Sequence, residues 1–334
     1  METFRFSFLF TGICLILAFL WGGPAAVLLV TVLGVLEVSL SFDNAVVNAA
    51  VLQEMNPKWQ KIFLTIGILV AVFGMRLIFP VVIVAVATGL GWGEVTSMAL
   101  NDPDRYAHHL QAAHIQIAMF GGVFLLLVFL NFLVDEGKDI HWIHWLEMRL
   151  ARLGKLEGAT ILITMLSVMW VVYHLVPDAE RFSALASGVA GIMLYIAVGS
   201  MDALFEPEVD HGGTATRSGI AGFFYLELLD ASFSFDGVIG AFAITKDVVI
   251  IMLGLGIGAI FVRSLTIFLV KKGTLQEFIY LEHGAHYAIG VLAILMMAST
   301  RYHIPEMVTG LLGILFIGIS LWSSVRHKKS LSAD

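Results

Sequence analysis

Charge is what this chain has least of. Only 13% of its 334 residues are charged, against about 25% in an ordinary soluble domain, while 59% are hydrophobic and the mean hydropathy is +0.91. Those values exclude an ordinary soluble domain and imply a polytopic, all-α integral membrane protein. Cysteine is nearly absent. Cys14 stands alone, so an intramolecular disulfide cannot form and a cysteine metal cluster is excluded. The net charge is −7 and no basic stripe runs along the chain, which argues against a nucleic-acid partner. A cleaved leader is not expected either. METFRFSFLFTGICLILAFLWGG carries Arg5 as its one basic residue and no A-x-A site, and reads as a retained first helix. Glycine, by contrast, is plentiful at 32 residues, which suits close helix–helix contact in lipid.

About ten apolar runs are long enough to span a bilayer. They cover 6–22, 25–52, 61–89, 115–134, 159–176, 183–205, 218–244, 247–270, 284–299 and 306–325. The first two are separated by Gly22-Gly23-Pro24, where proline cannot continue the first helix. Lys and Arg in the loops set the orientation. With the N-terminus inside, thirteen fall inside: Arg5, Lys58, Lys61, Lys138, Arg149, Arg152, Lys155, Arg217, Lys271, Lys272, Arg326, Lys328 and Lys329. Four fall outside, Arg105, Arg181, Lys246 and Arg301, while Arg76 and Arg263 lie within spans. That asymmetry predicts ten helices with both termini cytoplasmic.

Two acidic segments repeat inside this apolar chain. EVSLSFDNAV runs from Glu37 to Val46, and DASFSFDGVI from Asp230 to Ile239. Overlaid, Glu37 meets Asp230, Ser39 meets Ser232, Ser41 meets Ser234, Phe42 meets Phe235 and Asp43 meets Asp236. A carboxylate at a membrane helix centre costs about 2.5–3.5 kcal/mol on insertion scales. Four of them in matched pairs require a purpose. The first copy lies on predicted helix 2 and the second on predicted helix 7. An odd offset of five helices inverts one copy relative to the other. The expected architecture is two inverted five-helix repeats, as in secondary transporters whose sites lie near the midplane. The first repeat takes 1–134 plus 159–176, the second 183–325, and all belong to one membrane domain. The segment 135–158 joins them as a cytoplasmic interfacial connector, with Trp142, Trp145, Leu146, Leu150 and Leu153 at helical spacing. Arg76 and Arg263 recur in the third helix of each half, and Ala-His pairs at 113–114 and 285–286 open the fourth.

The chemistry of the motifs is that of oxygen. Glu37, Ser41 and Asn44 share a helix face at i, i+4 and i+7. Glu37 and Asp43 would stand about 9 Å apart along an unbroken axis and about 120° apart around it. Either the helix opens around Ser39–Ser41, or each copy gives one carboxylate to a shared central site. Two serines per copy favour a local break, and Gly237 would ease one in the second copy. Carboxylate, hydroxyl and amide oxygens suit hard divalent cations such as Mg, Ca or Mn. The candidate ligands are Glu37, Asp43, Asn44, Asp230, Asp236, Ser41 and Ser234. Arg76 and Arg263 would balance charge or act in gating. If all six ionise, the sum is two negative charges, which one divalent cation neutralises. Structural ion pairing of the carboxylates with Arg76 and Arg263 is the competing account.

Other polar residues read as packing. Asn48, Asn131, Ser39 and Ser232 are expected to bond neighbouring helices. Asp202 and Glu206 mark the end of a helix, with gating as the alternative for Asp202. His283 and His286, at i and i+3, are expected as an interfacial hydrogen-bonding pair, with a relay as the alternative. Segment 90–114, carrying Glu94, Asp102, Asp104, His108 and His109, reads as a solvated outside loop, with a cation-attracting vestibule as the alternative.

At the acidic motifs the chain resembles the TerC family of integral membrane proteins. Its E-x-x-L-S-x-D-N motif is matched by Glu37, Leu40, Ser41, Asp43 and Asn44. Its second motif is matched within ELLDASFSFDGVIGAFAIT by Asp230, Phe233, Asp236 and the closing Phe242-Ala243-Ile244-Thr245, with Gly237 in place of the usual Ser. LEHGAHYAIG also looks like a longer branch of that family. The resemblance implies a metal-ion transporter, with manganese efflux across a bacterial inner membrane the expected role and tellurite resistance an older association. The ion would be substrate, with no permanently bound cofactor and no enzymatic activity. The partners implied are the ion and the lipid bilayer; homo-oligomerisation stays open. A cation/proton or calcium-type exchanger is the alternative, and a non-transporting scaffold in a metal or tellurite stress complex the alternative from another class. An intramembrane aspartyl protease lacks its G-x-G-D and Y-D signatures here.

Overall fold

The computed structural model describes residues 2–63, 65–135, 137–156, 158–204, 208–209, 215–216 and 219–331. The chain is helical nearly throughout these residues. In order the helices are α1 (Arg5–Leu40), α2 (Phe42–Gln53), α3 (Pro57–Phe63), α4 (Ile66–Leu69), a π-helical segment Val70–Ile78, α5 (Phe79–Thr88), α6 (Trp92–Asn101) and α7 (Pro103–Ala112). There follow α8 (His114–Val134), α9 (His144–Gly154), α10 (Ala159–His174), α11 (Arg181–Leu204), α12 (Gly219–Ile244), α13 (Val248–Lys272), α14 (Thr274–Glu277), α15 (Leu281–Ala298) and α16 (Glu306–Leu331). A two-residue antiparallel pair, Glu208–Val209 with Ala215–Thr216, precedes α12.

Seven of these stretches are long and apolar enough to cross a membrane. The chain is therefore an all-α membrane protein. Two of the other three expected spans fall on helices outside that set, and the third shares a helix with the first. α10 has 16 residues. α12 has 26, and its Glu227, Asp230 and Asp236 interrupt its hydropathy. The third lies within α1. At 36 residues this helix is about 54 Å long, well beyond a hydrocarbon core of about 30 Å. It is not one rod: Gly22 and Gly23 leave helical geometry, and Gly23 takes φ 66°, a conformation glycine adopts freely.

The chain divides into two compact units. One comprises 1–114 and 207–268, the other 115–206 and 269–334. In the first unit the inner helices are α2 and α13. Asp43 to Ala49 are all buried on α2, and α13 has 72% of its apolar window buried against 22% for α1. α1 lays Val30, Leu33, Gly34 and Glu37, one face at i, i+3, i+4 and i+7, on α13. There Gly254 and Gly258 form a small-xxx-small pair that lets the backbones approach. A Cβ on Gly258 would collide with Cβ and Cγ of Glu37.

Two expectations are corrected. Segment 90–114 is not a solvated loop. Asp102 caps α7 by accepting the Arg105 N–H at 3.3 Å, Pro103 opens that helix, and Val95, Met98, Tyr106 and Leu110 are buried. The helix break occurs in one acidic copy only. Ser41 separates α1 from α2, whereas α12 runs unbroken through Ser232, Ser234 and Gly237. At Ser41 the backbone leaves helical geometry, φ −104° and ψ 18°, while α12 stays helical through Gly237.

In the second unit, α8 and α15 are the inner helices, with 72% and 67% of their windows buried. The expected connector carries α9, whose Glu147 is completely buried. Its Oε1 accepts the Ile143 N–H at 3.0 Å and the Tyr287 hydroxyl at 3.1 Å. Its Oε2 lies 3.5 Å from both Lys138 Nζ and His283 Nε2. Burial alone would raise this carboxyl. The bond from the Ile143 N–H, with His283 and the Lys138 ammonium beside the carboxylate, outweighs burial and holds it at about 2. A group at about 2 when folded, against an ordinary 4.5, stabilises the fold fully above the higher value and loses that contribution as pH falls through the lower one. Glu147→Gln is expected to cost about 3 kcal/mol at neutral pH, as for one lost partner of a buried pair. Melts of the detergent-solubilised chain and the variant should converge on acidification; a gap that persists at the acid end would contradict this role.

Candidate functional site

The first unit gathers polar side chains from five helical segments around one small cavity. Glu37 comes from the last turn of α1, Ser41 from the break, and Asn44 and Asn48 from α2. Arg76 comes from the π-helical segment, Asp230 and Ser234 from α12, and Arg263 from α13. The cavity holds about 20 Å³, little more than one water molecule needs. All eight side chains belong to buried residues. The Ser41 break does not rotate α2 off the face begun by Glu37. Ser41 N–H still donates to the Glu37 carbonyl at 3.0 Å, and Ala45 N–H to the Ser41 carbonyl at 3.2 Å. Glu37, Ser41, Asn44 and Asn48 therefore stay on one side, at i, i+4, i+7 and i+11.

Each acidic copy has its own arginine. Arg76 Nη2 forms a close ion pair with Glu37 Oε1, which also accepts Ser41 Oγ–H at 3.2 Å. Arg76 Nη1 reaches back to the Ala71 carbonyl. Arg263 Nη2 donates to Asp230 Oδ2 at 3.1 Å and to the Gly67 carbonyl at 3.0 Å. Asp230 Oδ1 takes both asparagine amides, Asn44 Nδ2 and Asn48 Nδ2, each at 2.8 Å. The guanidinium of Arg263 also lies 3.6 Å from the centre of the Phe63 ring. Buried charges persist in apolar surroundings only when paired in this way.

Three neutral oxygens among these cavity-lining residues accept nothing: Asn44 Oδ1, Asn48 Oδ1 and Ser234 Oγ. Each such buried polar atom costs about 1–3 kcal/mol if left unpaired. With the carboxylates of Glu37 and Asp230 and the hydroxyls of Ser41 and Thr266, seven lining residues carry side-chain oxygen. That set is chemically suited to a hard cation. Among the described residues, no three His, Cys, Asp or Glu side chains come together as a metal cluster. Any ion here would lean on amide and hydroxyl oxygens as much as on carboxylates.

The cavity thus joins Glu37, Ser41, Asn44, Asp230, Ser234, Arg76 and Arg263. Asp43 is buried but is not on the wall; its Oδ1 accepts the Asn44 N–H at 3.0 Å. The side chains of Asp236 and Asp202 lie outside the described residues. Asn131, His283 and His286 belong to the second unit. There Asn131 Nδ2 donates to the Leu127 carbonyl at 2.9 Å, and its Oδ1 accepts Thr160 Oγ–H at 3.4 Å. His283 Nε2 donates to the Ile140 carbonyl at 2.9 Å, and His286 stacks on Phe132 with ring centres 3.8 Å apart.

Two contributors escaped the sequence reading. Asn48 was expected to pack, yet it binds Asp230; its place at i+11 from Glu37 was the available signal. Glu227 is buried on α12, one turn before Asp230. Its Oε1 lies 3.8 Å from Arg263 Nη2, and neither of its oxygens accepts a hydrogen bond. The i, i+3 spacing to Asp230 carried that signal.

The family described as "Protein of unknown function (DUF475)" matches residues 42–331. The chain belongs to that family. The matched stretch includes Asn44, Asn48, Arg76, Asp230, Ser234 and Arg263, while Glu37 and Ser41 lie just before it. The chain is also 31% identical over 98 residues to an uncharacterized membrane protein, YceF, of Bacillus subtilis (strain 168). That match covers 29% of this chain and 37% of the relative. No solved structure matches the chain. Composition, helices and this relative agree on an integral membrane protein.

Gly237 shows how tightly the carboxylate of Glu37 is seated. A Cβ at Gly237 would stand 2.7 Å from Glu37 Oε2. Gly237→Ala is expected to lower stability by about 1–3 kcal/mol through overpacking. Gly12→Ala, where a Cβ meets nothing within 4 Å, is the control. Unfolding midpoints in detergent that fall equally for both would refute the packing argument.

Proposed function

We propose that this protein is a transporter of a hard divalent cation, with manganese efflux the leading case. The reading rests on one observation: a buried, oxygen-lined cavity whose two carboxylates, Glu37 and Asp230, come from the two copies of a repeated motif. The repetition extends to their partners. Glu37 pairs with an arginine 39 residues on, and Asp230 with one 33 residues on. That correspondence favours two inverted five-helix repeats. Ten spans follow if α1 counts as two and α10 and α12 are included. Both termini then face the cytoplasm, on the inner membrane of a bacterium. The TerC resemblance of the same motifs supports the metal reading, and Gly237, where that family carries Ser, is occupied by the packing of Glu37.

The chemistry of such a site is exchange. Without an ion, guanidinium groups neutralise the carboxylates. A cation entering the cavity competes with Arg76 for Glu37 and with Arg263 for Asp230. Arg263 has other holds when it yields Asp230: the Phe63 ring, the Gly67 carbonyl and the unbonded carboxylate of Glu227. Asn44, Asn48, Ser41 and Ser234 supply neutral oxygens in place of lost hydration. Asp43 and Asp236 remain proposed ligands on the strength of the motif alone. No step in this scheme requires bond-making catalysis, so we take the protein to be no enzyme.

Reconstitution into liposomes loaded with a metal-sensitive dye tests this reading. The unaltered chain should move manganese, and Glu37→Gln or Asp230→Asn should slow it at least about tenfold while the protein still inserts. Unchanged flux in both variants would remove the site. No flux of any divalent ion by the unaltered chain would favour the scaffold instead. Flux that follows an imposed proton gradient would favour the exchanger form.

A further inference from the structure

Helix α9 keeps its acid and its bases on opposite sides. Its one acidic residue, Glu147, is 0% exposed, accepts hydrogen bonds from the Ile143 N–H and the Tyr287 hydroxyl, and has Lys138 Nζ and His283 Nε2 each 3.5 Å away. Those bonds fix the rotation of α9 about its axis. At about 100° per residue, Trp145, Met148, Arg149, Arg152 and the following Lys155 fall within an arc of about 120° that starts about 80° from Glu147 and crosses the far side of the helix. The structure agrees: Trp145 is 63% exposed and Met148 47%, and Arg149, Arg152 and Lys155 are exposed. The Arg149 guanidinium stands 5.7 Å from the Trp145 ring centre. Leu156, 61% exposed, continues the strip. From 144 to 155 this outward face has no carboxylate.

A strip of Trp, Met and Leu beside three cations and, among the described residues, no anion is ill-suited to water alone. It is also ill-suited to a purely hydrocarbon surface. Its complement is a surface that is negatively charged and apolar just beneath. We infer that α9 is a docking surface for anionic phospholipid, with Arg149, Arg152 and Lys155 on the headgroup phosphates and Trp145 and Met148 inserted beside them. Glu147 is the positioning residue. By taking the inward side it turns every base outward, and its bond to Tyr287 ties the lipid-facing helix to α15. Each basic residue near an anionic surface is worth about fivefold in association. This inference is independent of what the protein transports.

Local lipid preference tests it. In a Cys14→Ala background, Met148→Cys is labelled with a fluorophore, and the full chain is reconstituted in vesicles of phosphatidylcholine and phosphatidylglycerol in equal amounts. Brominated acyl chains are placed on one lipid or the other. Phosphatidylglycerol is expected to quench about fivefold more strongly than phosphatidylcholine. The ratio should fall toward one in high salt and in Arg149→Glu/Arg152→Glu. The same label at Leu166→Cys on α10, an exposed apolar position, should give a ratio near one. The salt arm needs no substitution in α9 beyond the label, so misfolding of the charge-reversed variant cannot imitate the result. A ratio near one at position 148, an equal ratio at position 166, or a ratio indifferent to salt would overturn the inference.

Discussion

Everything in the first unit is arranged so that two carboxylates can be buried beside two guanidinium groups. An isolated ion in a low-dielectric interior loses several kcal/mol of solvation, and a partner repays this only with good geometry. Arg76 meets Glu37, and Arg263 meets Asp230, from segments that are distant in sequence. The requirement propagates outward. Gly258 and Gly237 are glycines because the side chain of Glu37 occupies the space a Cβ would take. Gly67 leaves its carbonyl to Arg263. The asparagines of α2 turn their amide nitrogens to Asp230, which leaves their oxygens unpaired.

The proposal of a cation site, over a purely structural salt bridge, draws on those unpaired oxygens. A bridge that served stability alone would gain from satisfying every neighbour, and replacing it with apolar side chains is often neutral or better. Here the cavity retains Asn44 Oδ1, Asn48 Oδ1 and Ser234 Oγ without partners, and Glu227 stands near Arg263 with both oxygens unbonded. The polar groups are partly satisfied, the condition expected where a guest completes the set.

The second unit solves a related problem differently. Glu147 is as buried as Glu37, but its partners lie in a short connector and on α15, near the end of a helix. No comparable cluster of unbonded neutral oxygens surrounds it among the described residues. Its ionisation is held far below the ordinary range by the donors around it. The role that follows is mechanical: one face of α9 is fastened, and the other is left basic and aromatic.

Much of this was legible in one dimension. Hydropathy located most of the long helices, though not the bounds of α1, because apolar length is a local property that lipid reads directly. The repeated motif placed Glu37, Ser41, Asn44, Asp230 and Ser234, because i, i+4 and i+7 spacing fixes a helix face before any packing occurs. The chain pattern also marked Arg76 and Arg263 as intramembrane charges in need of a function. It did not determine that each arginine serves the carboxylate of its own half, or that Asn48 joins Asp230, or that Glu147 turns inward. Those are distances between segments far apart in sequence, and a linear pattern carries no distances. Nor did it distinguish the broken helix at Ser41 from the continuous α12, although both have two serines. Local propensity is similar in the two copies, each with its serines and acids at the same spacing, so the linear pattern alone does not separate them.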